Sequence, residues 1–120
     1  MTLTDASVFV ARMDSDVTQL IERLEAFEER VGVRLEALYA HFDSDGYLNL
    51  TVNGEVHPRE GTTIKQDIVV HVGACDTSGR LVAKSETWLM ADEFFGFATF
   101  QVEEHLPIHE LSKIRVCPKV

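Results

Sequence analysis

Residues 5–31 read DASVFVARMDSDVTQLIERLEAFEERV, and their spacing decides how the chain divides. Apolar side chains fall at Ala6, Val10, Met13, Val17, Leu20, Leu24, Phe27 and Val31, in steps that alternate four and three. That is the 3.5-residue period of a coiled-coil seam. With Val10, Val17, Leu24 and Val31 at a and Ala6, Met13, Leu20 and Phe27 at d, β-branched residues dominate a and favour a parallel two-stranded coil. Arg23 (g) and Glu28 (the following e) would then pair across the seam. Thr4 or Asp5 suits the N-cap, and Gly32 stands where a helix ends. The spacing therefore predicts a helix over residues 1–32, on the order of 40 Å long over its apolar stretch. It self-associates through Val10, Met13, Val17, Leu20, Leu24, Phe27 and Val31. Asp14-Ser15-Asp16 is its weak point, able to cap a shorter helix from Asp16 to Val31. The same stripe, widened by Phe9, Ile21 and Ala26, also suits a helix lying on its own domain.

Beyond Val31 the period becomes two. Val33, Leu35, Ala37 and Tyr39 alternate with polar residues before the turn Asp43-Ser44-Asp45-Gly46. Leu48, Leu50, Val52, Gly54 and Val56 then share one face of a half-buried strand. Ile64, Ile68, Val70, Val72 and Ala74 do the same before the turn Asp76-Thr77-Ser78-Gly79. In the returning run, Leu81 and Ala83 share a parity with Leu89 while Trp88 and Met90 take the other. A β-bulge near Ser85, or burial on both faces, accounts for that. Two further strands place Ala98, Phe100 and Val102, then Ile114 and Val116, inward. The fold expected is mainly β: an N-terminal helix, then an antiparallel sandwich of about six strands over residues 33–120.

The runs Leu50-x-Val52-x-Gly54-x-Val56, Ile68-Val69-Val70, Asp76-x-x-Gly79-x-Leu81-Val82 and Phe95-Gly96-x-x-x-x-Phe100-x-Val102 resemble the bacterial FxLYD-type immunoglobulin-like domains, over roughly residues 48–116. That resemblance implies an immunoglobulin-like sandwich with an interaction role and no catalysis. The Phe-x-Leu-Tyr-Asp string itself is absent.

With 120 residues, 45% of them hydrophobic, the chain can bury one core. Its net charge of −9, with only 11 Lys and Arg, argues against nucleic-acid backbones and anionic membrane surfaces. No basic leader or long apolar run precedes the seam, so the expected location is the cytoplasm, with Cys75 and Cys117 reduced.

Chemistry-bearing constellations are sparse. His105 and His109, four apart among glutamates, have the spacing of a helical metal pair, but Pro107 lies between them. Asp43-x-Asp45-Gly46 lacks the later ligands of a calcium loop. Cys75 and His71 lie on one strand, roughly 13 Å apart along it, too far for a dyad. Cys117 with a distant histidine stays open. Nothing here calls for a cofactor, a structural metal or an enzyme. Trp88, Phe94, Phe95 and Phe97 could form an aromatic contact surface for a partner or sugar, or anchor the loop they sit on. The function expected is a homodimeric protein-interaction module with an unidentified protein partner. The alternative is a small-ligand or carbohydrate binder using Trp88 and the Phe94–Phe97 loop.

Overall fold

A computed structural model describes residues 15–44 and 46–120. In chain order the elements are β1 (Ser15–Asp16), β2 (Ile21–Arg23), helix α1 (Glu25–Val31), β3 (Val33–Phe42), β4 (Asn49–Pro58), β5 (Ile68–Cys75), β6 (Leu81–Leu89), β7 (Ala98–His105) and β8 (Lys113–Lys119). They build two four-stranded sheets, ordered β1-β3-β4-β7 and β2-β8-β5-β6. Below these are sheet A and sheet B. The core lies between them, formed by the inward rows Val33, Leu35, Ala40 and Phe42, Leu50, Val52 and Val56, Ile68, Val70 and Val72, Phe100 and Val102, and Ile114 and Val116.

The long helix is not there over the described part of the seam. Residues 15–24 form two short strands with a 3₁₀ turn at Thr18–Leu20 between them, and only Glu25–Val31 is α-helical. Val10 and Met13 lie outside the described residues. The β-branched run Val17-Thr18 and Ile21 weakens helix formation. Ile21–Arg23 instead gains a parallel ladder to Ile114–Val116 of β8. Of the five seam residues that are described, Val17, Leu20 and Val31 pack against the domain's own core, as does Ile21 beside them. Gly32 does end α1 as expected, with φ 80° and its N–H donated to Glu29 O at 3.1 Å.

The expected Arg23–Glu28 pair forms, but within one chain. Arg23 grips the Glu28 carboxylate with both Nε (3.2 Å) and Nη2 (2.8 Å), and its Nη2 also donates to Leu35 O at 2.7 Å. The buried Glu28 Oε1 accepts from Leu35 N at 3.0 Å. A buried carboxylate saturated in this way ties α1 to both β2 and β3.

Among the described residues there are eight strands against the expected six, because β1 and β2 arise in the segment read as helix. Two bulges shift the expected faces. Glu36 pairs with Glu55 and Tyr39 with Asn53, so Ala37 and Leu38 together oppose Gly54. Ala37 takes φ 53°, and Tyr39 turns outward instead of inward. The second bulge is at Val82, not near Ser85: Ala83 pairs with Ala74 and Leu81 with Cys75. The first expected turn joins the antiparallel pair β3 and β4, with Asp45 outside the described residues, and the second, Asp76–Gly79, joins β5 and β6. At the second, the Asp76 carboxylate accepts from the Ser78 hydroxyl (2.7 Å) and the Arg80 N–H (3.0 Å), which holds its pKa below the usual carboxylate value.

Candidate binding face on sheet B

Strand register stacks the outward side chains of sheet B in rungs. Leu81, Cys75 and Lys113 form the first, and Lys84, Gly73 and Arg115 the second, with Glu22 beyond Arg115. Glu86, His71 and Cys117 form the third; Trp88, Val69 and Lys119 form the fourth. Gly73 leaves the centre of this face without a side chain. A Cβ there would stand 2.8 Å from Leu81 Cδ1, so Leu81 leans over the gap that glycine creates. Helix α1 packs against β8, and Leu24 with Phe27 raises a wall there. Arg30 and Lys119 flank the Phe27 ring at 5.5 and 5.8 Å from its centroid. The result is a groove of about 240 Å³, floored by Gly73 and Cys117, walled by Leu24, Phe27 and Leu81, and rimmed by Lys84, Arg115 and Lys119.

Charge is partitioned unevenly in this acidic chain. The outward face of sheet B carries four cations, Lys84, Lys113, Arg115 and Lys119, against Glu22 and Glu86. Glu22 engages Arg115 at 3.1 Å and Lys113 at 3.4 Å. Among the described residues Lys84 has no ion-pair partner. A larger hollow of about 420 Å³ lies beside Gly32, Arg59 and Glu60, where Val31 and Ile64 are the apolar lining and cations and carboxylates surround them.

One rung joins Cys117, His71 and Glu86, the residue types of a nucleophile, a base and an orienting acid. His71 Nδ1 stands 3.5 Å from Glu86 Oε2. This adjacency is invisible in the sequence, where the three residues are far apart. The electrostatics run the wrong way for nucleophilic chemistry, because burial pushes the Cys117 thiol up. Its Sγ rests 3.8 Å from Pro118 O, and it serves as an apolar floor. Cys75 and Cys117 are both free and buried, on rungs two apart.

The aromatic residues singled out in the sequence are dispersed. Phe94 belongs to the core, whereas Phe95 is 75% exposed, so the tandem pair is split between inside and outside. Trp88 stands on the outer face of sheet B and is 56% exposed. Phe97 stacks on His57, centroids 5.1 Å apart, on the outer side of sheet A. Trp88 and Phe97 therefore face opposite ways and share no platform. Of the seam residues, Leu24 and Phe27 reach the groove. His105 points outward from β7, and His109 lies in the following connection with Nδ1 3.3 Å from Ser44 O. Among the described residues no cluster of three or more His, Cys, Asp or Glu is placed to hold a metal ion. Nor is any described helix long and apolar enough to cross a membrane.

No protein-family model, no curated protein and no solved structure matches this chain.

Proposed function

We propose that this protein is a non-catalytic interaction module on an immunoglobulin-like scaffold, and that the outer face of sheet B is its docking face. Strand order supports the scaffold. Naming β3 to β8 as A, B, C, C′, E and F gives the pairings A-B-E and C′-C-F, which agree with the immunoglobulin arrangement. β2 takes the place beside F where strand G would stand, but runs parallel to it. The resemblance to FxLYD-type domains points the same way.

The observation that carries the function is the coincidence of an apolar floor with a cationic rim in a chain of net charge −9. A face built like this suits an apolar group bearing a negative charge. The groove volume of about 240 Å³ falls below the roughly 300 Å³ at which small-molecule sites begin. It fits one or two side chains of a protein partner better than a whole ligand, which favours a protein over a sugar or metabolite.

Anilinonaphthalene sulfonate, an apolar anion, is a direct probe. Its fluorescence should rise on the native protein and fall back when Arg115→Glu reverses the rim or Gly73→Val fills the floor. Undiminished fluorescence on both folded variants would remove the groove from the account.

A further inference from the structure

Four strands end the two sheets, and they are guarded very differently. Over the described residues β1 and β2 offer only two and three residues of edge, too few to template another strand. β7 turns the carboxylate of Glu104 inward and shows Glu103 outward, and an inward charge is a device that discourages edge pairing. β6 is the exception. It runs nine residues, Leu81–Leu89, has no inward charge and no proline, and among the described residues its only ladder is to β5, while Ser85 Oγ on its inward side donates to Glu104 of β7 at 2.9 Å. It also presents two large apolar side chains to water, Leu81 at 53% and Trp88 at 56% exposure.

We propose that β6 pairs antiparallel with β6 of a second copy, about a two-fold axis through Ser85. In that register Lys84 stands opposite the partner's Glu86, and Glu86 opposite the partner's Lys84. Both belong to the outward face, since Lys84 lies on the Gly73 rung and Glu86 on the His71 rung. Two reciprocal ion pairs form from one strand sequence, as an isologous contact requires. Centring the axis on Lys84 or on Glu86 instead sets like charges directly opposite. Centring it between residues sets outward side chains against inward ones. The register is therefore unique among its neighbours. The Val82 bulge acts at the ends: it turns Leu81 outward, where the partner's Trp88 comes beside it. Both exposed apolar side chains of the strand are then covered in each copy.

The contact uses the sheet edge, so it stands independently of what the groove binds. It would join two B sheets into one eight-stranded sheet with both grooves on the same side. An edge contact of this kind lies at the small end of specific interfaces, and the proposal commits to a weak dimer with a dissociation constant of about 10 µM.

Sedimentation equilibrium on the full chain tests the proposal. Wild type should be dimeric at about 100 µM. K84E and E86K each replace two attractive pairs by two repulsive ones, and each should weaken the dimer by about tenfold or more. An equimolar mixture of the two variants should restore association as a heterodimer, and the double swap should dimerise like wild type. Both side chains are exposed, so neither change bears on folding; circular dichroism verifies this. A wild type that stays monomeric at about 500 µM overturns the proposal. So does a dimer that both single variants leave intact, or a mixture in which association is not restored.

Discussion

The two outer faces of the sandwich contrast in how their polar groups are answered. On sheet A three pairs of outward side chains answer each other, Arg34 with Glu36 at 3.0 Å, His57 with Glu55 at 2.9 Å and Gln101 with Glu103 at 3.3 Å, while His41 Nδ1 is buried without a hydrogen-bond partner among the described residues. The outward strand positions of this sheet carry Arg34 against Asp16, Glu36, Glu55 and Glu103, so this side repeats the acidity of the whole chain. On sheet B the sign of charge reverses, the centre is a glycine, and a thiol and three apolar side chains lie where sheet A has amides and hydroxyls. A face whose groups pair internally gains little from a partner. On sheet B Arg115 and Lys113 share Glu22, but Lys84 and Lys119 have no ion-pair partner among the described residues. A face with such cations around apolar surface gains from both desolvation and charge. The lesson is that a net charge of −9 describes the average and conceals the face that departs from it.

The largest effect should come from what holds the groove wall in place. Glu28→Ala removes the carboxylate that joins α1 to Arg23 and to Leu35 N. Because Glu28 is fully buried while the Arg23 side chain is 41% exposed, the loss should sit near the low end for a broken buried pair, about 3 kcal/mol in urea unfolding. A loss below about 0.5 kcal/mol would mean the wall is held by packing alone.

Next in size is Glu104, the inward carboxylate on the guarded edge. Its Oε2 accepts from Ser85 Oγ at 2.9 Å, while its Oε1 is buried without a partner. Burial raises its pKa. A folded-state pKa above the unfolded one means that stability is fully present at low pH and is lost as pH rises from the usual glutamate range through the folded value. Glu104→Gln keeps the shape without the charge. It should stabilise by about 1 kcal/mol at neutral pH, with the gain vanishing near pH 4. A gain independent of pH would assign the effect to packing instead.

How much of this was legible in the sequence follows from which periods survive folding. Leu50, Val52 and Val56, or Ile68, Val70 and Val72, alternate cleanly and are buried as their period demands. The seam was legible as a stripe and misread as an element. Val17, Leu20 and Val31 do turn to the core, but they reach it from the residue that caps a 3₁₀ turn, from that turn and from a short helix. A hydrophobic period reports which residues are buried, not which backbone carries them. The bulges were harder. Nothing about Ala37 announces φ 53°, and the bulge at Val82 moved Leu81 onto the outer face. The groove itself is a product of register. His71, Gly73, Leu81 and Cys117 meet only because β5 lies between β6 and β8. The groove wall was half visible, since Leu24 and Phe27 stood in the seam.

Smaller effects sharpen the contrast. Phe27→Ala removes the ring that Arg30 and Lys119 flank, and should cost about 1 kcal/mol while weakening binding of the sulfonate probe. Asn53→Ser on sheet A, opposite Tyr39 and Gln101, should change stability by no more than about 0.5 kcal/mol and leave probe binding alone. Equal effects of the two substitutions on binding would erase the distinction between the faces.

The most direct test is an amide chemical-shift map of the native protein titrated with anilinonaphthalene sulfonate. The account predicts that the shifts that move belong to one side: His71 and Gly73 on β5, Leu81 and Lys84 on β6, Arg115 and Cys117 on β8. Thr51, Asn53 and Gln101 on sheet A should stay still. Movement centred on sheet A, or spread evenly over both sheets, would contradict the claim that sheet B carries the docking face.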